Sequence, residues 1–312
     1  MRAEELFERL GGNFYVDSFG RKWPRFTPKV FKTNEKGIRY LKEPGLVVSA
    51  KTITVEVGAL YPFLSGFDEE YAFEEYADDK DWLNETEAIV KRAGQACYAS
   101  YGQSRTKNNE EECKRYLDNI KKQKHGSVIE HPNVTIFIYG VSRSLTHELV
   151  RHRIVDGPSQ LSQRYVDGKV LRFVERPEYQ DSPLLHDSFE KWIEMSAEEY
   201  ENRRKFLENY FTVNRSEFRK ISATDKRKAK NQAARACLPN ETETHIYFTA
   251  NLRSWRFIDE LRSSEYAEVE IRNLAIRTFL CLYFIAPNIF SDYKIVELKD
   301  ETFALETEYQ KV

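Results

Sequence analysis

The chain has 312 residues, of which 41% are apolar and 13% aromatic, so it can bury a sizeable core in one large domain or two smaller ones. Its 48 basic and 50 acidic residues nearly cancel, which argues against a general affinity for nucleic acid or for an acidic membrane surface. The sequence also lacks the apolar segment of a secretion signal and any run of about 18 apolar residues, so we expect a cytoplasmic protein that does not enter a membrane.

Residues 1–45 are punctuated by glycine and proline, which predicts an ordered arm without long regular elements. The arm holds too many aromatic side chains for a disordered tail, so we expect it to pack on the main domain or on a neighbouring subunit. The functional alternative is that the arm acts as a lid. We accordingly divide the chain into an N-terminal extension, residues 1–45, and a main domain, residues 46–312.

The main domain alternates β-branched runs with segments of helical periodicity. In residues 186–211, six apolar side chains are expected to face inward. Those six are Phe189, Trp192, Ile193, Met195, Tyr200 and Phe206. The predicted strands are 46–58, 134–141, 169–174 and 242–250. The predicted helices are 84–98, 110–123, 186–211, 224–237 and 254–285. A further helix is expected to be capped by Ser142 and to lead to Arg151, and residues 67–81 are expected to form a loop or a short helix.

The cysteines and histidines give little sign of a metal or of disulfide bonds. No Cys-x-x-Cys pair occurs, which argues against structural zinc, and the wide spacing of the cysteines argues against a disulfide framework. His125 and His131 lie six residues apart, which is not the i, i+4 spacing of a helical metal site. We therefore expect no bound metal, and reduced thiols at Cys97, Cys113, Cys237 and Cys281.

The segment from Arg151 to Tyr165 concentrates cationic and neutral polar side chains. Arg151, Arg153 and Arg164 supply guanidinium groups, which suit phosphates and carboxylates because each offers paired N–H donors in one plane. Gly157 and Pro158 prevent a helix here, which predicts a shaped loop. The segment therefore indicates an anion-binding site, and a merely solvated helix end is the alternative.

A series of short motifs in this chain resembles, in the same order, the flavin-dependent thymidylate synthases. The similarity spans roughly residues 85–290 and leaves residues 1–45 outside. The motifs are Ser127–His131, Gly140–Arg143, Leu149–Arg153, Leu161–Tyr165, Leu238-Pro239, Asn251–Ser254, Leu261-Arg262 and Glu270–Arg272.

This resemblance implies a mixed α/β fold with a central, largely antiparallel sheet flanked by long helices. It further implies a homotetramer that binds FAD where subunits meet, so that the active sites are shared. The implied reaction is the reductive methylation of dUMP to dTMP, with methylenetetrahydrofolate as carbon donor and NADPH-reduced FAD as hydride donor. No cysteine nucleophile is needed in that family.

The resemblance also implies roles for individual residues. Arg262 is expected to meet the pyrimidine and to stabilise negative charge that develops there, and Ser162 is expected to orient the nucleotide rather than attack it, since no adjacent base is visible. The implied cofactor contacts are His125, Ser127, Arg151, His152, Arg153, Gln160, Asn251 and Arg253. The implied nucleotide contacts are Glu148, Arg151, Leu161, Ser162, Gln163, Arg164, Arg235 and Arg262.

The chain departs from the family pattern at several of these positions. The loop from Ile154 to Leu161 is one residue longer than usual, and Gln160 stands where glutamate is common. Glu148 and Glu268 stand where glutamine is usual, and Phe257 replaces a polar residue that reaches the flavin. These changes affect substrate identity more than flavin binding.

Three functions therefore remain open from the sequence. The first is thymidylate synthesis itself. The second is a flavoenzyme of the same fold that methylates or hydroxymethylates a related pyrimidine nucleotide such as UMP. The third is a non-catalytic nucleotide or nucleic-acid binder that uses the basic segment 226–230, which the balanced charge and the lack of an aromatic stacking pattern make the weakest of the three.

Overall fold

The computed structural model describes residues 1–166, 171–310 and 312. The strands are β1 (Gly12–Val16), β2 (Lys22–Phe26), β3 (Val30–Lys32), β4 (Arg39–Leu41), β5 (Gly45–Lys51), β6 (Asn133–Ser142), β7 (Gly157–Gln160), β8 (Phe173–Val174), β9 (Glu243–Asn251), β10 (Lys294–Glu297) and β11 (Phe303–Glu306). The α-helices are α1 (Ala3–Arg9), α2 (Tyr61–Leu64), α3 (Glu85–Cys97), α4 (Glu110–Lys122), α5 (Arg143–Leu149), α6 (Pro177–Gln180), α7 (Pro183–Asn214), α8 (Ser216–Lys220), α9 (Ala223–Ala234), α10 (Leu252–Arg262), α11 (Val269–Ile285) and α12 (Pro287–Phe290).

The main sheet runs in the order β1-β2-β5-β6-β9-β7, and every neighbouring pair in it is antiparallel. Long helices flank this sheet, so the expected mixed α/β fold with a largely antiparallel sheet is confirmed. Two smaller sheets, β10-β11 and β3-β4-β8, complete the described strands. No helix formed by the described residues is long and apolar enough to cross a bilayer.

The sheet buries one face and leaves the other partly open. Along β6 the buried positions alternate, with Val134, Ile136 and Ile138 fully buried, as expected for a strand whose one face meets the core. Helix α11 lies in this core and is buried on nearly all sides, which fits its almost continuous apolar sequence. On the other face, Phe137 and Tyr247 are paired across β6 and β9 with ring centroids 4.8 Å apart.

The N-terminal arm is an integral part of the main sheet. Strands β1 and β2 extend it beyond β5, and the Phe7 and Phe26 rings are buried in the main core, where they meet edge to face at 5.1 Å. The expectation that aromatic side chains of the arm pack on the main domain is therefore confirmed for Phe26 and Trp23, whereas Tyr15 is 52% exposed. Phe19, at the tip of the β1–β2 turn, is 81% exposed.

Most of the predicted elements are present, but three differ. The strand predicted at 46–58 ends at Lys51, and the helix predicted at 254–285 is interrupted between Arg262 and Val269. In α7, Trp192, Met195 and Phe206 face outward rather than inward, whereas the other three apolar positions are buried as predicted. Most of the strand predicted at 169–174 lies outside the described residues, and only Phe173 and Val174 are paired as β8.

Candidate functional site

Arg262 is the last residue of α10, and its guanidinium is held by the end of α5. Its Nε donates a hydrogen bond to His152 Nε2 at 2.8 Å, and its Nη1 donates to Glu148 Oε2 at 2.7 Å. The Nη2 donates to the backbone oxygen of Glu148 at 3.2 Å. Since the three donors lie in one plane, these acceptors fix the orientation of the whole fork.

His152 is buried and must be neutral to accept this hydrogen bond at Nε2. Burial, and to a smaller extent the nearby charge of Arg262, lower the pKa of His152 to about 4. The ring also packs edge to face against Phe257, with centroids 6.4 Å apart. The imidazole therefore serves Arg262 as a neutral acceptor across the physiological pH range.

A chain of charged groups continues from Glu148 away from Arg262. Glu268, which precedes α11 and contacts Arg176, also acts on the Glu148 carboxyl. Arg176 also lies 3.4 Å from the carboxylate of the buried Glu270. Burial raises the pKa of Glu148, the contact with Glu268 raises it as well, and the charge of Arg262 opposes both. Two carboxyl groups thus lie side by side next to Arg262.

A second cluster of cations lines a cavity of about 410 Å³ at the start of α5. Arg143 and Arg235 lie close enough that the charge of Arg235, after burial, lowers the pKa of Arg143. Neither guanidinium forms an ion pair with a carboxylate among the described residues. Gln163 and His147 also line the cavity. Two unpaired guanidiniums beside neutral donors are suited to an anion such as a phosphate.

A third group of predicted residues lines a separate cavity of about 570 Å³ between α3, α4 and the start of α10. His125, Ser127 and Arg253 meet there, and Tyr98 stacks on the His125 ring with centroids 6.4 Å apart. A Cβ atom on Gly126 would lie 2.7 Å from Arg253 Nε, so glycine lets the guanidinium approach the backbone closely. The cavity offers cationic and neutral donors as well as aromatic surface.

Several other predicted residues lie outside these clusters or are occupied within the chain. Arg151 and Arg153 are exposed and form no ion pair with a described residue. The Asn251 side chain caps α10 by accepting from Ser254 N at 2.8 Å. Gln160 donates to the hydroxyl groups of Thr146 and Thr244, at 2.7 Å and 3.3 Å. The side-chain amide nitrogen of Gln160 therefore has both of its hydrogen-bond acceptors within the fold.

The segment from Leu161 to Arg164 leaves β7 towards the Arg143 cavity. Leu161 N donates to His245 O at 3.0 Å, and the Arg164 guanidinium lies over the Tyr165 ring at 5.9 Å. Ser162 Oγ forms no hydrogen bond with a basic side chain among the described residues, and its role in orienting the nucleotide stays a prediction. The structure therefore unites Gln163 with Arg235, whereas it does not place Arg164 in the wall of that cavity.

Arg143, His147 and Tyr98 are site residues that the sequence alone did not single out. Arg143 belongs to the Gly140–Arg143 motif, and it directly follows Ser142, whose Oγ caps α5 by accepting from Leu145 N at 3.0 Å. A strand followed by a cap and an arginine is the signal that could have indicated this position.

Three of the four thiols, those of Cys113, Cys237 and Cys281, are poorly suited to nucleophilic chemistry. Burial raises the pKa of Cys237 and of Cys113, and Cys281 is fully buried. A raised pKa lowers the fraction of reactive thiolate at neutral pH. Among the described residues, no group of His, Cys, Asp and Glu side chains is arranged to hold a metal ion.

Comparison with known proteins places this site in context. Residues 80–288 match the family model described as thymidylate synthase complementing protein. A flavin-dependent thymidylate synthase of Mycolicibacterium gilvum (strain PYR-GCK) is 40% identical over 229 residues, which cover 72% of this chain and 87% of that protein. The enzymes of the same description from Mycobacterium avium (strain 104) and Mycobacterium tuberculosis (strain ATCC 25177 / H37Ra) are 40% and 39% identical over 227 residues, with the same coverage of both chains.

Proposed function

Because this chain belongs to the flavin-dependent thymidylate synthase family and is thus a methyltransferase that makes dTMP, we propose that it converts dUMP to dTMP with methylenetetrahydrofolate as carbon donor and NADPH-reduced FAD as hydride donor. We further propose that it does so in the cytoplasm as a homotetramer with shared active sites. The observation that carries this proposal is the pair of unpaired guanidiniums, Arg143 and Arg235, in one cavity beside Gln163.

The nucleotide phosphate is the anion that this cavity would accept. A phosphate dianion relieves the repulsion between Arg143 and Arg235 and accepts hydrogen bonds from both forks. Helix α5 would then connect the phosphate-binding residues with the base-binding residues, because Arg143 is its first residue and Glu148 its second-to-last. Since Glu148 holds Arg262, both ends of the helix serve the nucleotide site.

Arg262 is the group that would stabilise the activated pyrimidine. Carbon–carbon bond formation at C5 of dUMP requires negative charge to develop on the ring, and a guanidinium fork facing the ring stabilises that charge at two neighbouring atoms. His152 and Glu148 keep the fork oriented before the nucleotide arrives. This preorganisation avoids a reorientation cost in the transition state.

The cavity with His125, Ser127 and Arg253 fits a flavin nucleotide. Its aromatic Tyr98 and its cationic Arg253 match a cofactor that combines flat rings with a pyrophosphate. When bound, the reduced flavin supplies the hydride of the reaction. The exposed Arg151 and Arg153 supply further charges for the pyrophosphate, either within one subunit or across an interface. The raised thiol pKa values of Cys237 and Cys113 agree with a reaction that needs no cysteine nucleophile.

The decisive experiment combines a visible spectrum with nucleotide assays. The purified protein should show flavin absorbance and should form dTMP from dUMP, but not ribothymidine monophosphate from UMP. Arg143→Ala and Arg235→Ala should each raise the KM for dUMP by about tenfold, because each removes a charged hydrogen bond worth about 1.5 kcal/mol. The matched control is Arg115→Ala, since the Arg115 side chain is 71% exposed on α4 and, among the described residues, forms an ion pair with its helix neighbour Glu112 alone.

Two results would contradict the proposal. A protein that cannot be reconstituted with flavin is not a flavoenzyme, and turnover of UMP in preference to dUMP would move the substrate to another pyrimidine nucleotide. An unchanged KM in both arginine variants would move the phosphate away from the Arg143 cavity.

A further inference from the structure

Asp259 lies within α10, and its side chain is fully buried. Its Oδ1 is 2.5 Å from the hydroxyl oxygen of Thr278, which belongs to α11. Its Oδ2 is also buried and has no hydrogen-bond partner among the described residues. A carboxyl group in such a place needs an explanation, because aspartate is almost never fully buried unless it is paired.

The hydroxyl group of Thr278 indicates the protonation state of Asp259. Thr278 Oγ1 is 2.5 Å from Asp259 Oδ1 and 2.9 Å from the backbone oxygen of Ala275. A hydroxyl group has one hydrogen, so it can donate fully to only one of these two oxygens. If Asp259 were ionised, one of the two short contacts would have no hydrogen in it. A proton on Asp259 gives each contact its own hydrogen, because Asp259 then donates to Thr278 and Thr278 donates to Ala275.

No cation compensates a negative charge at Asp259. Helices α10 and α11 contain five arginines and no lysine. All five arginines form ion pairs with other carboxylates, whereas Asp259 forms none with a described residue. An unpaired charge in the interior costs far more free energy than a neutral carboxyl group. The five arginines are Arg253, Arg256, Arg262, Arg272 and Arg277.

The space beside Asp259 is too small to hydrate a charge. A cavity of about 10 Å³, with mainly apolar walls, separates Asp259 from parts of α5 and α11. Such a volume holds one water molecule at most. The titratable neighbours are neutral as well, because burial raises the pKa of Cys281 and of Tyr293. Burial also raises the pKa of Asp259 well above its ordinary value, against a smaller opposing effect of Thr278.

We propose that Asp259 is a neutral, protonated carboxyl group that donates to Thr278, and that it is thereby a positioning residue for Arg262. The hydrogen-bonded chain through Thr278 ties α10 to α11 three residues before Arg262. The backbone oxygen of Asp259 also accepts from Ser263 N at 2.9 Å, at the end of the helix. The same residue therefore fixes the turn of α10 that carries Arg262. The importance of Arg262 for turnover rests on the proposed function, whereas the proton on Asp259 does not.

The first test compares the stability of the wild type with that of Asp259→Asn. Asparagine keeps the shape and a donor for Thr278 but cannot ionise. Asp259 titrates near its ordinary pKa of about 3.9 in the unfolded chain, and at higher pH in the folded protein. The stability that this proton gives is complete below about pH 4 and is lost as the pH rises. Between about pH 5 and about pH 7, the unfolding equilibrium constant of the wild type should rise by about tenfold per pH unit relative to that of Asp259→Asn.

Urea denaturation at matched protein concentration and flavin content measures this ratio. The matched control is Asp187→Asn, because Asp187 is exposed on α7, and its ratio to the wild type should stay constant over the same pH range. Infrared difference spectra at about pH 7 observe the proton directly. The carbonyl band of one protonated carboxyl group should be missing from Asp259→Asn and present in Asp187→Asn.

The second test addresses the position of Arg262. Asp259→Leu has a similar volume but no donor for Thr278, so it should lower kcat for dTMP formation by about tenfold, with a smaller change in the KM for dUMP. Asp259→Asn still donates to Thr278 and should retain most of the wild-type kcat at about pH 7. This rescue by asparagine distinguishes a hydrogen-bonded positioning residue from one that only fills space.

The outcomes separate the proton, the positioning role and the reaction. A stability ratio that does not change with pH, an infrared band that persists in Asp259→Asn, or an Asp259→Asn chain that does not fold overturns the neutral carboxyl group. Wild-type kcat in Asp259→Leu refutes the positioning role. A wild-type protein that shows the expected ratio and band but makes no dTMP retains the proton on Asp259 and refutes the proposed function.

Discussion

A single guanidinium, that of Arg262, is held in a fixed orientation at the centre of this candidate site. Arg262 uses three nitrogen atoms on two residues of one neighbouring segment, so its plane is fixed before any ligand binds. A lysine at this position would keep the positive charge but could not occupy both His152 and Glu148 while also facing a ring. The shape of the fork therefore matters more than its charge.

Arg262→Lys should lower kcat more than it lowers nucleotide affinity. Each charged hydrogen bond is worth about 1.5 to 3 kcal/mol, so loss of one in the transition state corresponds to a decrease in kcat of about 10-fold to 100-fold. The measurement is the initial rate of dTMP formation together with the Kd for dUMP from calorimetry. Arg235→Ala is the matched comparison, since loss of a phosphate contact should raise the KM more than it lowers kcat. Equal losses of kcat and affinity in Arg262→Lys would contradict this division of roles.

His152 should make stability depend on pH in a defined direction. Its pKa is about 4 in the folded protein against an ordinary value of 6.5, so the unfolded chain binds more protons between these two values. The stabilisation is complete above about pH 6.5 and is lost as the pH falls towards 4. We expect the free energy of unfolding of the wild type to decrease by about 2 to 3 kcal/mol more than that of His152→Gln between these pH values.

Urea denaturation of both proteins at matched concentration measures this difference. Glutamine retains an acceptor for Arg262 but does not titrate, which makes it the suitable replacement. Parallel pH profiles of the two proteins would show that His152 is not buried as a neutral ring.

The sequence predicted which residue types form the candidate site better than it predicted which residues contact one another there. The motif around Arg151 predicts that arginines and neutral donors form an anion site, and in the structure Gln163 and Arg235 share a cavity. The contact between Arg262 and Glu148 spans 114 positions, and no local pattern encodes such a distance. Arg143 was not selected because a single arginine after a helix cap is common and becomes informative only when Arg235 lies beside it.

At the scale of elements, periodicity predicted which segments are helices but not where tertiary contacts interrupt them. Residues 254–285 show helical periodicity without glycine or proline, yet the helix stops at Arg262 and starts again at Val269. The side chain of Arg272 stabilises this break by donating to the backbone oxygens of Glu265 and Ala267, both at 2.8 Å. The break also makes Arg262 a helix terminus and places Glu268 next to Glu148.

The same reasoning explains the wrong assignments in α7. Its apolar residues recur with helical spacing on more than one side, so the pattern could not decide which side meets the core. Phe189 and Ile193 are buried against β4 and β8, whereas Phe206 is 73% exposed. The side that is buried depends on strands that are distant in the sequence.

Arg272→Ala should destabilise the break between α10 and α11. The guanidinium also donates to Asp300 and Thr302, at 2.6 Å and 2.7 Å, so its loss removes four hydrogen bonds that connect the break to the segment before β11 and to its own backbone. We expect a loss of about 2 to 4 kcal/mol in the free energy of unfolding, together with a lower kcat because Arg262 loses its fixed position. Arg115→Ala, an exposed arginine on α4, serves as the control for denaturation by urea. A folded variant with wild-type stability would refute the role of Arg272.

At the scale of the whole molecule, the outer face of the main sheet carries a group of aromatic side chains. Phe137 and Tyr139 stack at 5.8 Å on this face, His245 lies 5.5 Å from Phe137, and Tyr247 is 48% exposed. An antiparallel sheet commonly exposes one polar face to water, but this one presents aromatic rings. An exposed aromatic patch of this kind is typical of an interface between subunits.

Assembly and flavin content should therefore change together. Tyr247→Asp places a charge on the aromatic face and should convert the proposed homotetramer into smaller species, whereas Tyr247→Phe keeps the ring and should remain assembled. Light scattering coupled to size-exclusion chromatography measures the mass, and the visible spectrum measures flavin per chain. If the flavin site is shared, Tyr247→Asp should lose flavin along with its partners, although Tyr247 does not line the cavity with His125 and Arg253. A monomeric Tyr247→Asp with full flavin occupancy would show that one chain forms the cofactor site alone, and an unchanged mass would move the subunit interface away from this face.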